Sequence, residues 1–108
     1  MKESLTHSEE ELMLKLWELN KASVKELLDL YSQPKPAYNT VSTIIRILEK
    51  KGVVEHFKCG RGYSYRPILS KESYRKKLLN HLTVNYYKNN HQLINSDLNV
   101  LKTLDQLL

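Results

Sequence analysis

The 108 residues carry 17 Lys+Arg against 12 Asp+Glu, a formal net charge of +5, and 41% are hydrophobic. That apolar content excludes a disordered chain, the single Cys59 excludes an intrachain disulfide and a cysteine-based zinc cluster, and no apolar run approaches the roughly 20 residues of a membrane-spanning helix. The opening MKESLTHSEEEL has no apolar segment of the secretory kind, so the expected compartment is the cytoplasm.

Thr6-His7-Ser8-Glu9 and Ser8-Glu9-Glu10-Glu11 both read as capping boxes. They precede Leu12, Met13, Leu16, Trp17 and Leu19, an apolar stripe at helical spacing. Glu9, Glu10 and Glu11 suit the first turn, where the helix dipole favours acids; this first helix ends near Asn20. Ser23-Val24-Lys25-Glu26 is a further capping box, and Val24, Leu27, Leu28 and Tyr31 form the stripe of a short second helix. Gln33-Pro34-Lys35-Pro36 breaks it, because a residue before proline is pushed out of the helical region. A third helix starts after Pro36 and runs through AYNTVSTIIRILEKK to Gly52, with Val41, Ile44, Ile45 and Leu48 inward.

After Gly52 the texture changes. Val53 to Lys58 is rich in β-branched and aromatic residues, Cys59-Gly60-Arg61-Gly62 is a turn, and Tyr63 to Arg66 alternates before Pro67, so the segment reads as a β-hairpin with a basic tip. Helix resumes at Ser70, with Tyr74, Leu78, Leu82 and Tyr86 at spacing four. Asn85 to Asn95 reads as a break, and Ser96 as the cap of a last helix carrying Leu98, Leu101, Leu104 and Leu108. The expected fold is mainly α with a small β-hairpin: a winged helix-turn-helix domain over 1–69 plus a C-terminal helical arm over 70–108. Two helices cannot bury both their apolar faces alone, so the arm is assigned to dimerisation; folding back onto its own winged domain fits the same spacing.

The charge is local. Residues 34–77 hold 11 basic against 3 acidic side chains, a net +8, whereas 1–33 and 78–108 are net acidic and neutral. Local basic charge is the footprint of a polyanionic partner. His7, His56, His81 and His91 share no i, i+3 or i, i+4 pair, so no metal site is indicated. Neither a nucleophilic triad nor a phosphate loop occurs; no enzyme and no cofactor is expected. Cys59 beside Lys58 and Arg61 is a thiol in a basic setting, with no role assigned.

LTHSEEELMLKLWEL, AYNTVSTIIRILEKKGVVE and GRGYSYRPILSKESY, within about residues 5–75, resemble the penicillinase repressor family, which includes the β-lactamase and methicillin-resistance repressors and the copper-transport repressors. Thr40-Val41, Thr43, Leu48 and Lys51-Gly52 fall at the family's spacing; beyond about residue 80 the likeness thins. The resemblance implies a winged-helix domain whose third helix enters the DNA major groove. It also implies a homodimer joined by the C-terminal helices and repression at a short palindromic operator, with a membrane-bound metallopeptidase as upstream sensor and antibiotic-resistance genes as targets. The family's resistance repressors are cut between the C-terminal helices, typically at an Asn-Phe or similar bond; this chain has no Asn-Phe, and its only Phe is Phe57. Cys59 as the sole cysteine excludes copper sensing through a C-terminal cysteine motif.

On this reading Tyr38, Asn39, Thr40, Ser42 and Thr43 reach base edges or phosphates, since Asn pairs with adenine and the Thr methyl meets that of thymine. Arg46 neutralises a phosphate or reads guanine. Lys58 and Arg61 at the hairpin tip, with Arg66 as a further candidate, sit against the adjacent backbone or minor groove. The competing readings are a winged-helix module that binds protein, and one that binds RNA, neither with an operator.

Overall fold

The computed structural model describes residues 4–107. Contacts divide the chain into two compact units, Met1–Tyr74 and Arg75–Leu108.

The first unit begins with α1 (His7–Leu19). Of its two possible capping boxes the Thr6 one forms: Glu9 N–H donates to Thr6 Oγ1 at 3.2 Å, and Thr6 N–H donates to the Glu9 carboxylate at 2.8 Å. Helix α2 (Val24–Asp29) is closed by Ser23 and Glu26 in the same reciprocal way. It ends before Tyr31, sooner than the apolar stripe suggests. Lys35 Nζ donates to the carbonyls of Leu28 and Asp29, at 3.4 and 3.0 Å, giving partners to groups that helix ends leave open. Tyr31 still closes the core from beyond the helix end. Burial pushes its hydroxyl up to about 12, with the Glu11 carboxylate adding to the effect.

Helix α3 (Tyr38–Lys50) stops at Gly52, whose φ of 79° a glycine adopts without strain. Strands β1 (Val54–Cys59) and β2 (Gly62–Pro67) pair antiparallel, Val54 with Pro67 through to Cys59 with Gly62. Gly60, at φ 62°, takes the first position of the two-residue loop, the place where a tight hairpin needs a positive φ. Ala22, between α1 and α2, exchanges both backbone hydrogen bonds with Tyr65, at 2.8 and 3.0 Å. It stands as a third rung beside the hairpin and completes a winged helix.

Leu12, Met13 and Leu16 from α1, Leu27 from α2, Val41, Ile45 and Leu48 from α3, and Val53 and Val54 are all fully buried. Each such side chain is worth about 1.5–3 kcal/mol of transfer free energy. Ile44 sits at the margin, packed against this core. Glu9 is buried among them and meets Lys51 Nζ at 2.6 Å, tying the start of α1 to the end of α3. Burial opposes the charge of Glu9, but the Lys51 ammonium and the Thr6 amide outweigh it and hold the carboxyl below its usual range. A group with a depressed folded pKa stabilises above its unfolded pKa and loses that contribution as pH falls through the folded one. Lys51→Ala is therefore expected to cost about 1–3 kcal/mol at neutral pH, the penalty of an under-partnered buried group. The difference from wild type should vanish once Glu9 is protonated; urea denaturation at neutral and acid pH measures both.

Helix α4 (Lys71–Asn85) begins inside the first unit. Tyr74, expected in the dimerisation stripe from its spacing to Leu78, is instead buried in the winged unit. Its ring lies 5.9 Å from that of Trp17, and its hydroxyl accepts Leu5 N–H at 3.3 Å. Trp17 Nε1–H donates to Leu69 O at 2.9 Å, which fixes the approach to α4. The compact winged unit thus runs to Tyr74 rather than stopping at residue 69.

The second unit holds the rest of α4 and α5 (His91–Leu107). The break is shorter than Asn85 to Asn95 implies. Lys88 and Asn89 turn the chain with positive φ, and Asn90 caps α5 by accepting Leu93 N–H at 3.1 Å. Ser96, expected as that cap, lies inside the helix. Tyr87 O–H donates to Asp97 at 2.7 Å across the turn, which raises the tyrosine's pKa. Between residues 75 and 106 no residue is buried. Leu78, Leu82, Tyr86, Leu98, Leu101 and Leu104 are all exposed; Leu108 lies outside the described residues.

Candidate nucleic-acid interface

One side of α3 faces the core and the other is open. Asn39, Thr43 and Arg46 are exposed at i, i+4 and i+7, one straight stripe that Lys50 continues. Thr43 Oγ1–H donates to Asn39 O at 2.8 Å, so its hydroxyl hydrogen is engaged within the helix while its methyl and oxygen lone pair stay free. Tyr38 is exposed at the first turn. Thr40 is exposed off the stripe, where it lines a cleft with Ser8, Glu11, Tyr31 and Pro34. Ser42 is not on the open side. It is buried beside Val41 and one turn before Ile45, because the inward face of α3 is wider than its aliphatic residues indicate.

The hairpin alternates. Val54, His56 and Lys58 share one face with their partners Pro67, Tyr65 and Tyr63; Glu55, Phe57 and Cys59 share the other. Lys58 and Arg61 are exposed at the tip, as expected. Arg66 belongs to the second face, where it pairs with Glu55 at 2.5 Å and covers the Phe57 ring at 5.0 Å.

The first face and α3 enclose a cleft lined by Arg46, Glu49, His56, Tyr63 and Tyr65. His56 N–H donates to Glu49 Oε2 at 3.0 Å, and the imidazole Nδ1 meets the same oxygen. Tyr63 stands edge-on to the imidazole, ring centroids 5.4 Å apart. The hydrogen bond from the His56 side chain holds Glu49 below the usual carboxylate range against its burial. Burial, then Glu49, raise the Tyr65 hydroxyl, and Arg46 draws it back in part. His56, Tyr63, Tyr65 and Lys50 were not among the expected contacts. The alternation of the hairpin carried the signal for the first three: taken residue by residue, it sets an imidazole and two phenols on the lysine's face.

An exposed polar stripe on the third helix, beside a wing tipped by two cations, is the layout of a DNA-reading surface. The penicillinase repressor profile matches residues 5–105. The chain belongs to the penicillinase repressor family. The match runs through the helical arm, well past residue 80, where the residue-level likeness thins. No curated protein matches the chain. Membership makes this family member a DNA-binding transcriptional repressor, from a family of regulators rather than enzymes. No helix among the described residues is long and apolar enough to cross a membrane.

Proposed function

We propose that the chain is a sequence-specific repressor that binds a palindromic operator as a homodimer, with α3 in the major groove and the wing on the flanking backbone. The observation that carries this reading is the exposed Asn39–Thr43–Arg46 stripe next to Lys58 and Arg61. Tyr38 and Thr40 lie at its edge, with Thr40 on the side away from the wing cleft. Ser42, buried on the inward side of α3, is left out of the contact set. The dimer reading rests on the arm, whose exposed leucines need a partner of like chemistry. Two copies would place their reading helices about one helical turn, ~34 Å, apart. Family membership supports extending the proposal to control of β-lactam-resistance genes in the cytoplasm, under a membrane-bound metallopeptidase sensor.

Fluorescence anisotropy tests it, with a selected palindromic duplex, a scrambled duplex and an RNA hairpin at two salt concentrations. The expected preference for the palindrome is ~10³ or more. Equal, weak binding to both duplexes, or preference for the RNA, overturns the reading. Arg61→Ala should weaken every duplex alike and reduce the salt slope by about 1 for each bound copy, whereas Asn39→Ala should cost about 1–3 kcal/mol per half-site on the palindrome only. An unchanged salt slope in Arg61→Ala would remove the wing from the interface.

A further inference from the structure

The cleft between α3 and the wing holds a carboxylate in contact with an imidazole, which a plain phosphate clamp would not contain. Its volume is about 280 Å³, at or below the ~300–1,000 Å³ of small-molecule sites, so it suits one protruding group rather than an enclosed metabolite. Arg46 and Glu49 enter it from α3, His56 from β1, and Tyr63 and Tyr65 from β2, with Lys58 two residues along the same face of β1. Half of the His56 side chain and a third of that of Glu49 stay open to solvent.

From this arrangement we infer that His56, with Arg46 and Tyr63, seats one phosphodiester of the bound duplex, and that Glu49 is a positioning residue that couples this seat to proton uptake. The inference rests on the DNA-binding reading. With the imidazole neutral, Arg46 and Glu49 cancel, and the carboxylate repels an incoming phosphate. With the imidazole protonated, His56 and Glu49 form a neutral pair, the guanidinium is left in surplus, and the ring becomes a donor at both nitrogens. The phosphate favours the second state, so binding takes up a proton and affinity rises on acidification. Histidine is the side chain that makes this change between pH 5 and 8. Tyr63 supplies a hydroxyl donor to the seat, and Tyr65 lines the same cleft beside it. Lys58 lies on the same face of the hairpin.

The test uses the full chain and a random-sequence duplex, because phosphate contacts carry no sequence information. Wild type is expected to bind about fivefold or more tightly at pH 6 than at pH 8. His56→Gln should abolish that difference. Glu49→Gln should bind more tightly than wild type at pH 8, since it removes the repelling charge and keeps the side-chain shape. A merely structural strut predicts the opposite, weaker binding at every pH, and that result overturns the seat. So does a wild-type affinity independent of pH with both variants indistinguishable from it. A chain that binds no duplex at either pH overturns the DNA-binding reading and the seat together.

Discussion

Leu48→Ala is expected to lower the free energy of unfolding by about 2–5 kcal/mol, the range for large-to-small changes in a rigid core. Leu48 is fully buried, one turn after Ile45 on the inward side of α3. Its carbonyl accepts Val53 N–H at 3.1 Å, so the same residue anchors the chain as it leaves the helix for the wing. It shares the core with Val41, Val53 and Val54, β-branched residues with few rotamers. They cannot swing in to fill the space, which puts the cost toward the upper part of the range. Domains of this size hold 5–15 kcal/mol in total, so thermal unfolding should fall by about 8 °C or more. Circular dichroism under urea and heat measures both. The variant keeps every exposed residue of α3, so its folded fraction should bind DNA like wild type. A cost below about 1 kcal/mol would mean that α3 is held elsewhere.

The order of elements was legible because each boundary had a local chemical cause. Thr6 and Ser23 cap with glutamates three residues on, prolines 34 and 36 separate α2 from α3, and Gly52 ends α3. Where the reading failed, the deciding contact was made by residues distant in sequence or by an unlooked-for cap. Tyr74 sits at perfect spacing with Leu78, Leu82 and Tyr86, yet Trp17 and Leu5 claim it for the winged unit. Spacing along one helix says which residues share a face, not what that face meets. Asn90 took the capping role expected of Ser96 because two residues with left-handed backbone turned the chain early. Ser42 reads as outward because a small hydroxyl is polar, yet it is buried on the inward side of α3.

The wing cleft shows the same limit from the other side. Glu49 and His56 are seven residues apart, across the end of a helix and the start of a strand, and no periodicity links them. The excess of +8 over residues 34–77 is a sum over the segment, and it does not show that the Glu49 carboxylate stands beside Arg46 and His56 in one cleft.

The arm offers the largest functional effect. If the proposed homodimer forms through the arm, Leu101→Glu is expected to convert it to monomers and to weaken binding to the proposed operator by about 10²–10⁴, the gain that linking two modest sites provides. Leu101 is 60% exposed in the single chain, and Leu98 and Leu104, one turn to either side, are about half exposed. Apolar side chains left open at this spacing bury area only against another apolar face. A carboxylate placed among them must lose water without a partner, and in a symmetric pair it meets its own copy. Sedimentation velocity should therefore show monomers at concentrations where wild type is dimeric. A duplex carrying one half-site separates this from damage to the reading surface, because the variant and wild-type winged units should bind it equally. Should Leu101→Glu stay dimeric and keep full operator affinity, the α5 stripe is not the seam between copies. Should it stay folded while wild type itself is monomeric, the arm does not join two copies in solution, and the palindrome is read by two chains that meet only on DNA.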